Sequence, residues 1–297
     1  MSWLRIRLRA ERDQADSISD ALEQCGALAV TLEDAGDEAM FARPGSDEPR
    51  LWAQTSLSAL LPADMEPSRF AADVAALLGV QTLLPWEVDH VPDQDWERAW
   101  MDRFRPMNVG GNLWICPSWF APPPPPAVAV VLDPGLAFGT GTHATTSLCL
   151  EWMATNTLAG TEVVDFGCGS GILAIAALKL GARSAWAVDI DPGALTVTCD
   201  NAQRNEVSER LTATSPSSLP ADVVADVVVA NILADPLIEL APRLTTLTRA
   251  GGILLLSGML EPQLAEVGHR YSENFAIEAR TRDGWALLVC RKSVRGN

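Results

Sequence analysis

Three groups of residues have the types and spacing to do chemistry. The first is the stretch Val163-Val164-Asp165-Phe166-Gly167-Cys168-Gly169-Ser170-Gly171. An apolar run ends near an acid, a glycine-rich turn follows, and Ile172, Leu173, Ile175, Ala176, Leu178 and Leu180 recur at helical spacing. Strand, tight turn and helix are the elements this pattern predicts. Such a turn lets backbone approach a ligand closely, and N–H groups at a helix start can hold an anionic group. The second is Asp189, which closes the next apolar run 18 residues after Gly171. A carboxylate there can accept both hydroxyls of a ribose. The third is Asn231, a neutral amide ending the run Ala225-Asp226-Val227-Val228-Val229-Ala230. All three fall where an open α/β sheet holds its ligand, so a nucleotide-type cofactor is the expectation.

A second glycine-rich segment, Asp133 to Thr146, follows the strand Val128–Leu132 and runs into a helix from Thr145 to about Met153. It carries Phe138, Thr142, His143, Thr145 and Thr146, and loops so rich in glycine and hydroxyl groups are usually functional. His143 reads as a cap or packing group at the loop-to-helix junction rather than a proton shuttle.

The elements that must position these residues follow from periodicity. From Glu162 onward strands and helices alternate: strand Glu162–Phe166, helix Ser170–Leu180, strand Ala185–Asp189, helix Pro192–Asn205 and a short strand Leu211–Thr214. Strand Asp226–Asn231, helix Leu233–Leu247, strand Gly252–Ser257 and helix Glu261–Tyr271 continue the pattern. That is a parallel doubly wound sheet with ligands at the carboxyl ends of its strands. Two last strands, Phe275–Thr281 and Trp285–Cys290, are joined through Arg282-Asp283-Gly284 and predict a terminal antiparallel hairpin.

The first third of the chain reads differently. Trp3 to Arg9 alternates apolar and basic, a half-buried strand; Asp16–Cys25 and Pro67–Leu78 are amphipathic helices; Ala27–Glu33, Trp52–Leu61 and Thr82–Val88 are further strands. The order β-α-β-β-α-β is the ferredoxin-like plan. We therefore expect a domain at 1–92, a linker helix at 93–106 with Trp96, Trp100 and Phe104 on one stripe, and a catalytic domain at 107–297. Within the last, Met107–Trp119 predicts a hairpin around Gly110-Gly111, and Pro122–Pro126 a stiff polyproline spacer.

Composition narrows the partners. The net charge is −16, and residues 1–95 hold 18 acids against 7 bases. A nucleic-acid surface needs the opposite sign. An acidic face can instead steer a basic protein. Six scattered cysteines without a C-x-x-C pair predict neither zinc nor a disulfide framework. No apolar run reaches the roughly 18 residues of a membrane span, and the start lacks a signal-peptide core, so a cytoplasmic protein is expected; we further expect a monomer.

The spacing G-x-G-x-G differs from the dinucleotide G-x-G-x-x-G. With Asp165, Asp189 and the terminal hairpin in one chain, it resembles the class I S-adenosylmethionine-dependent methyltransferases. In these the glycine turn lies against the methionine part of the cofactor and the acid holds the ribose. A nicotinamide-dependent dehydrogenase remains the alternative. The run Leu132 to Thr146, then VVDFGCGSGILAIAALKLGA, then Val188-Asp189-Ile190-Asp191-Pro192, then Val229-Ala230-Asn231-Ile232-Leu233-Ala234 is similar to the PrmA family of ribosomal protein methyltransferases. The segment Asp95–Trp119 is similar too. That resemblance implies a Rossmann-like seven-stranded sheet behind a small ferredoxin-like domain, and methylation of ribosomal protein L11 at its N-terminal amine and lysine side chains. It implies cofactor contacts at Thr146, Gly167, Asp189 and Asn231, with Asp165, Gly169, Phe138 and Thr142 around them. Asn231 would orient the amine, with help from Thr142 or His143. The chain departs from the pattern at Ala144, where a proline is expected, and in its proline run. Action on another protein or a small molecule, and a non-catalytic ribosome-binding module, are the other readings.

Overall fold

A computed structural model describes residues 3–35, 54–81, 86–91, 104–133, 141 and 143–294. The chain divides into two compact units, Met1–Met101 and Asp102–Asn297.

In the first unit strands β1 (Trp3–Glu11), β2 (Ala29–Asp34), β3 (Gln54–Pro62) and β4 (Trp86–Val91) form one sheet in the order β2-β3-β1-β4. Every described pairing is antiparallel. Alternation along β1 turns Leu4, Ile6, Leu8 and Ala10 inward and Arg5, Arg7 and Arg9 outward. Helices α1 (Arg12–Gln24) and α2 (Pro67–Leu77) bury Ile18, Leu22, Phe70 and Val74 in the same core. Glu66 starts α2, its carboxylate accepting the Ser68 and Arg69 N–H groups, with Pro67 in the first turn. This is the expected ferredoxin-like order. β4 is described from Trp86; residues 82–85, where the predicted strand starts, lie outside the described chain, as does most of the expected linker helix.

The second unit carries a seven-stranded sheet in the order β10-β9-β8-β11-β12-β14-β13. Its strands are β8 (Glu162–Phe166), β9 (Ser184–Val188), β10 (Leu211–Thr214), β11 (Ala225–Asn231), β12 (Thr248–Leu260), β13 (Phe275–Arg282) and β14 (Trp285–Lys292). The first five strands in that order run parallel, and β14 is antiparallel to both its neighbours. Order reverses between β8 and β11, which marks the switch point of a doubly wound fold. The hairpin turns at Asp283 and Gly284, both at positive φ, a two-residue turn that matches the twist of its strands.

Helices cover both faces. Helices α3 (Ala144–Thr155), α4 (Ile172–Lys179) and α5 (Pro192–Arg204) lie on one side. On the other are α6 (Ala234–Glu239), α7 (Ala241–Leu247) and α8 (Leu264–Tyr271). Seven of the eight residues of α4 are buried, so it has no polar face to show. A three-stranded sheet of β5 (Met107–Gly110), β6 (Leu113–Cys116) and β7 (Val128–Val131) adds Val109, Leu113, Ile115 and Val130 to the α3–α5 side. The single helix expected over Leu233–Leu247 is two, broken at Leu240 where Pro242 opens α7 without an N–H to give.

Candidate active site

A cavity of about 540 Å³ opens at the switch point. It is lined by the turn after β8 (Phe166, Gly167, Gly169), the end of β9 (Val188, Asp189, Ile190, Asp191) and the end of β11 (Asn231, Ile232), with Pro216 and Leu240 among the remaining walls. Of the predicted site residues, Gly167, Gly169, Asp189 and Asn231 are thus brought together. Thr146, buried at the first turn of α3, receives a hydrogen bond from Asn231 Nδ2 at 3.2 Å. Among the described residues Asn231 Oδ1 has no partner, so an acceptor is left for a ligand. Phe138 and Thr142 lie outside the described residues.

Gly167 sits at φ +82°, and a Cβ there would meet Ile232 Cγ2 at 2.3 Å. The chain leaving β11 passes this close only because residue 167 has no side chain. The turn's donors are spent within the protein. Gly167 and Cys168 N–H both donate to Val188 O at 2.7 and 3.0 Å, Gly169 N–H to Asp189 Oδ2 at 2.9 Å, and Gly171 N–H to Cys168 O. The anion cradle anticipated from the sequence is therefore absent at these four groups. A pyrophosphate needs such donors free. Among the described residues, the lining contains two carboxylates and no Lys, Arg or His. The described lining suits a ligand bearing positive charge and sugar hydroxyls.

Asp189 is half-buried. Its Oδ1 accepts the Asp191 N–H at 3.0 Å and its Oδ2 accepts Gly169, which fixes the carboxylate while each oxygen keeps a further lone pair. Asp165 takes a different place. It is fully buried beneath the turn and does not line the cavity. Its Oδ2 accepts the Ala174 N–H at 3.1 Å, pinning the start of α4, while Oδ1 has no partner among the described residues. Burial, reinforced by the Asp189 charge, pushes its pKa up to about 7.

His143 caps α3. Its Nδ1 accepts the Thr145 N–H at 3.4 Å and lies 2.8 Å from Thr145 Oγ1, and the ring meets Trp285 edge-on at 4.7 Å. Sequence reasoning missed Ile190, Asp191, Pro216 and Ile232. Ile190 is 85% exposed at the cavity rim. Its signal was an apolar residue directly after the strand-ending acid, with no buried face to explain it.

A family model described as ribosomal protein L11 methyltransferase (PrmA) matches residues 2–293. The chain belongs to this family. A ribosomal protein L11 methyltransferase of Pseudomonas paraeruginosa is 50% identical over 296 residues, covering 98% of this chain and 99% of the relative. One of Serratia proteamaculans is 50% identical over 294 residues, covering 97% and 99%. The crystal structure of a ribosomal protein L11 methylase from Lactobacillus delbrueckii subsp. bulgaricus is 34% identical with a TM-score of 0.59, and the match covers 64% of this chain and 100% of that one. The fold is thus the Rossmann-like methyltransferase fold of that family, with its parallel sheet and terminal hairpin. Among the described residues there is no cluster of three potential metal ligands, and no helix is long and apolar enough to cross a membrane.

Proposed function

We infer that the protein transfers methyl groups from S-adenosylmethionine to ribosomal protein L11, at lysine side chains and at the N-terminal amine. The observation that carries the reading is half identity from end to end with enzymes named for that substrate. The cavity supports it: an acid for the ribose, a turn with four of its N–H groups held within the protein, and a neutral amide at the end of β11. Bound there, the cofactor supplies an electrophilic methyl group on a sulfonium.

The residues of the chain position and polarise. Asp189, held by two backbone N–H groups, accepts the ribose hydroxyls. Gly167 and Gly169 let the ligand lie against backbone, and Ile190 and Pro216 give it apolar walls. Asp165 acts through the turn, by holding α4. An attacking amine must be neutral, whereas lysine in water has a pKa of about 10.4. Desolvation in the cleft favours the neutral form. Asn231 Oδ1 accepts a hydrogen bond from that amine and aims its lone pair, with Thr146 fixing the amide. Phe138 and Thr142 are cofactor contacts by the family resemblance, and His143 holds the start of α3 rather than moving a proton.

Residues 1–92 form the substrate-recognition domain, 93–106 a linker and 107–297 the catalytic domain. The exposed face of α1 presents Asp13, Asp16, Asp20 and Glu23, a stripe that suits a basic protein surface rather than nucleic acid. The enzyme acts as a cytoplasmic monomer. Mass analysis of ribosomal proteins from cells lacking this protein tests the reading. Loss of methyl groups from ribosomal protein L11 alone is expected; an unchanged L11 mass would overturn it.

A further inference from the structure

Helix α5 presents a buried polar row to the glycine turn. Thr198 is 0% and Asn201 6% exposed, one turn apart on the same face. Thr198 Oγ1 donates to Gly169 O at 3.0 Å, and Asn201 Nδ2 donates to Ser170 O at 2.9 Å. The Cys168 thiol lies 3.4 Å from Thr198 Oγ1. The Thr198 hydroxyl gives its one proton to Gly169 O, so between these two the thiol is the donor. The other side of residue 169 faces the ligand, its N–H on Asp189.

This bracketing has a purpose. A turn that presents its outer edge to a ligand must turn its carbonyls inward, and a buried carbonyl without a donor is costly. Thr198 and Asn201 supply the two donors, from a helix whose far end is also anchored. There Asn205 Nδ2 donates to Val131 O at 2.7 Å and its Oδ1 accepts the Val131 N–H at 2.7 Å, while Arg204 pairs with Asp133 at 2.9 Å. Neither Thr198 nor Asn201 lines the cavity.

We propose that Thr198 and Asn201 are positioning residues that set cofactor affinity through the carbonyls of Gly169 and Ser170, without touching the cofactor. The inference rests on the S-adenosylmethionine reading of the cavity. Its test is equilibrium binding of S-adenosylmethionine by calorimetry to the full-length protein and two Thr198 variants. Thr198→Val keeps the shape and removes the hydroxyl; it is expected to weaken binding about tenfold. Thr198→Ser keeps the hydroxyl and removes a methyl group that packs beside Gly171; binding within about twofold of the parent is expected. Turnover at saturating cofactor should stay within about threefold in both, because the lost contact is uniform in ground and transition states. A packing role would give the reverse order. Parent-like binding by Thr198→Val, or equal weakening by Thr198→Ser, overturns the proposal. Should Thr198→Val not fold, Asn201→Asp, isosteric but lacking the amide donor, carries the same expectation of about tenfold weaker binding, and parent-like affinity in it overturns the proposal too. If the unmodified protein does not bind S-adenosylmethionine, the cofactor reading itself has failed, which is seen before any variant is compared.

Discussion

In the proposed mechanism Asp189 and Asn231 divide the work at the site, so their substitutions should separate. Asp189→Ala removes the ribose acceptor and also frees the Gly169 and Asp191 N–H groups it holds. Cofactor affinity measured by calorimetry should fall at least about tenfold. Asn231→Ala leaves the turn intact and removes the amide proposed to orient the amine. Its signature is turnover lowered about tenfold or more even at saturating cofactor. Normal turnover in that variant would remove Asn231 from the mechanism. Asp165 has a different signature, in pH. Its pKa is raised from 3.8 to about 7, so between those values the folded protein holds a proton that the unfolded chain has released. Its contribution therefore favours folding at the acidic end and declines as pH rises through 7. Asp165→Asn has no charge to bury and should gain stability relative to the parent between pH 5 and about pH 8, as read by melting temperature at several pH values; a difference independent of pH would contradict the buried, protonated carboxyl. Gly167, Asp189 and Asn231 were legible because each ends a strand that the apolar pattern defines. Thr198 and Asn201 were not, because polar residues inside an amphipathic helix read as its solvent face until the chain that they grip is placed.

At the level of elements, the site is made by the crossing of the turn after β8 and the chain leaving β11. Gly167→Ala forces a left-handed backbone on an alanine and drives its Cβ into Ile232. A melting temperature lowered by several degrees and loss of cofactor binding are expected. Adding Ile232→Ala removes the steric part, so the double variant should recover some stability but not the whole, since the backbone cost remains. No recovery would mean that the close approach is not what excludes a side chain. The element order of both sheets was readable because period-2 and period-3.6 patterns alternate with clear glycine breaks. The break at Leu240 was not, because the apolar period runs through it and Pro236 and Pro242 fall where a single longer helix also tolerates them, near its start or at a kink. At this scale the free-donor reading of the turn failed for Gly167, Cys168, Gly169 and Gly171. Whether an N–H is free depends on the neighbouring strand: Val188 O, at the end of β9, takes two of them.

For the whole molecule, the claim is that one unit binds cofactor and the other selects the substrate. The second unit has its own cores on both faces of the seven-stranded sheet, and every cavity residue lies within it. Deleting residues 1–92 should leave S-adenosylmethionine binding intact and abolish methylation of ribosomal protein L11; activity surviving that deletion would refute the recognition role. The charge asymmetry was visible in the sequence, but its arrangement was not. Acidic side chains line the outer face of α1, whereas the open face of the sheet carries Arg5 and Arg7, both paired with Asp89. The most direct test of the account is to incubate the purified protein with ribosomal protein L11 and S-adenosylmethionine and to weigh the product intact and after digestion. The account predicts mass added in whole methyl groups, confined to lysine side chains and the N-terminal amine, and lost in Asn231→Ala. An L11 of unchanged mass, from a protein that binds the cofactor normally, would contradict it.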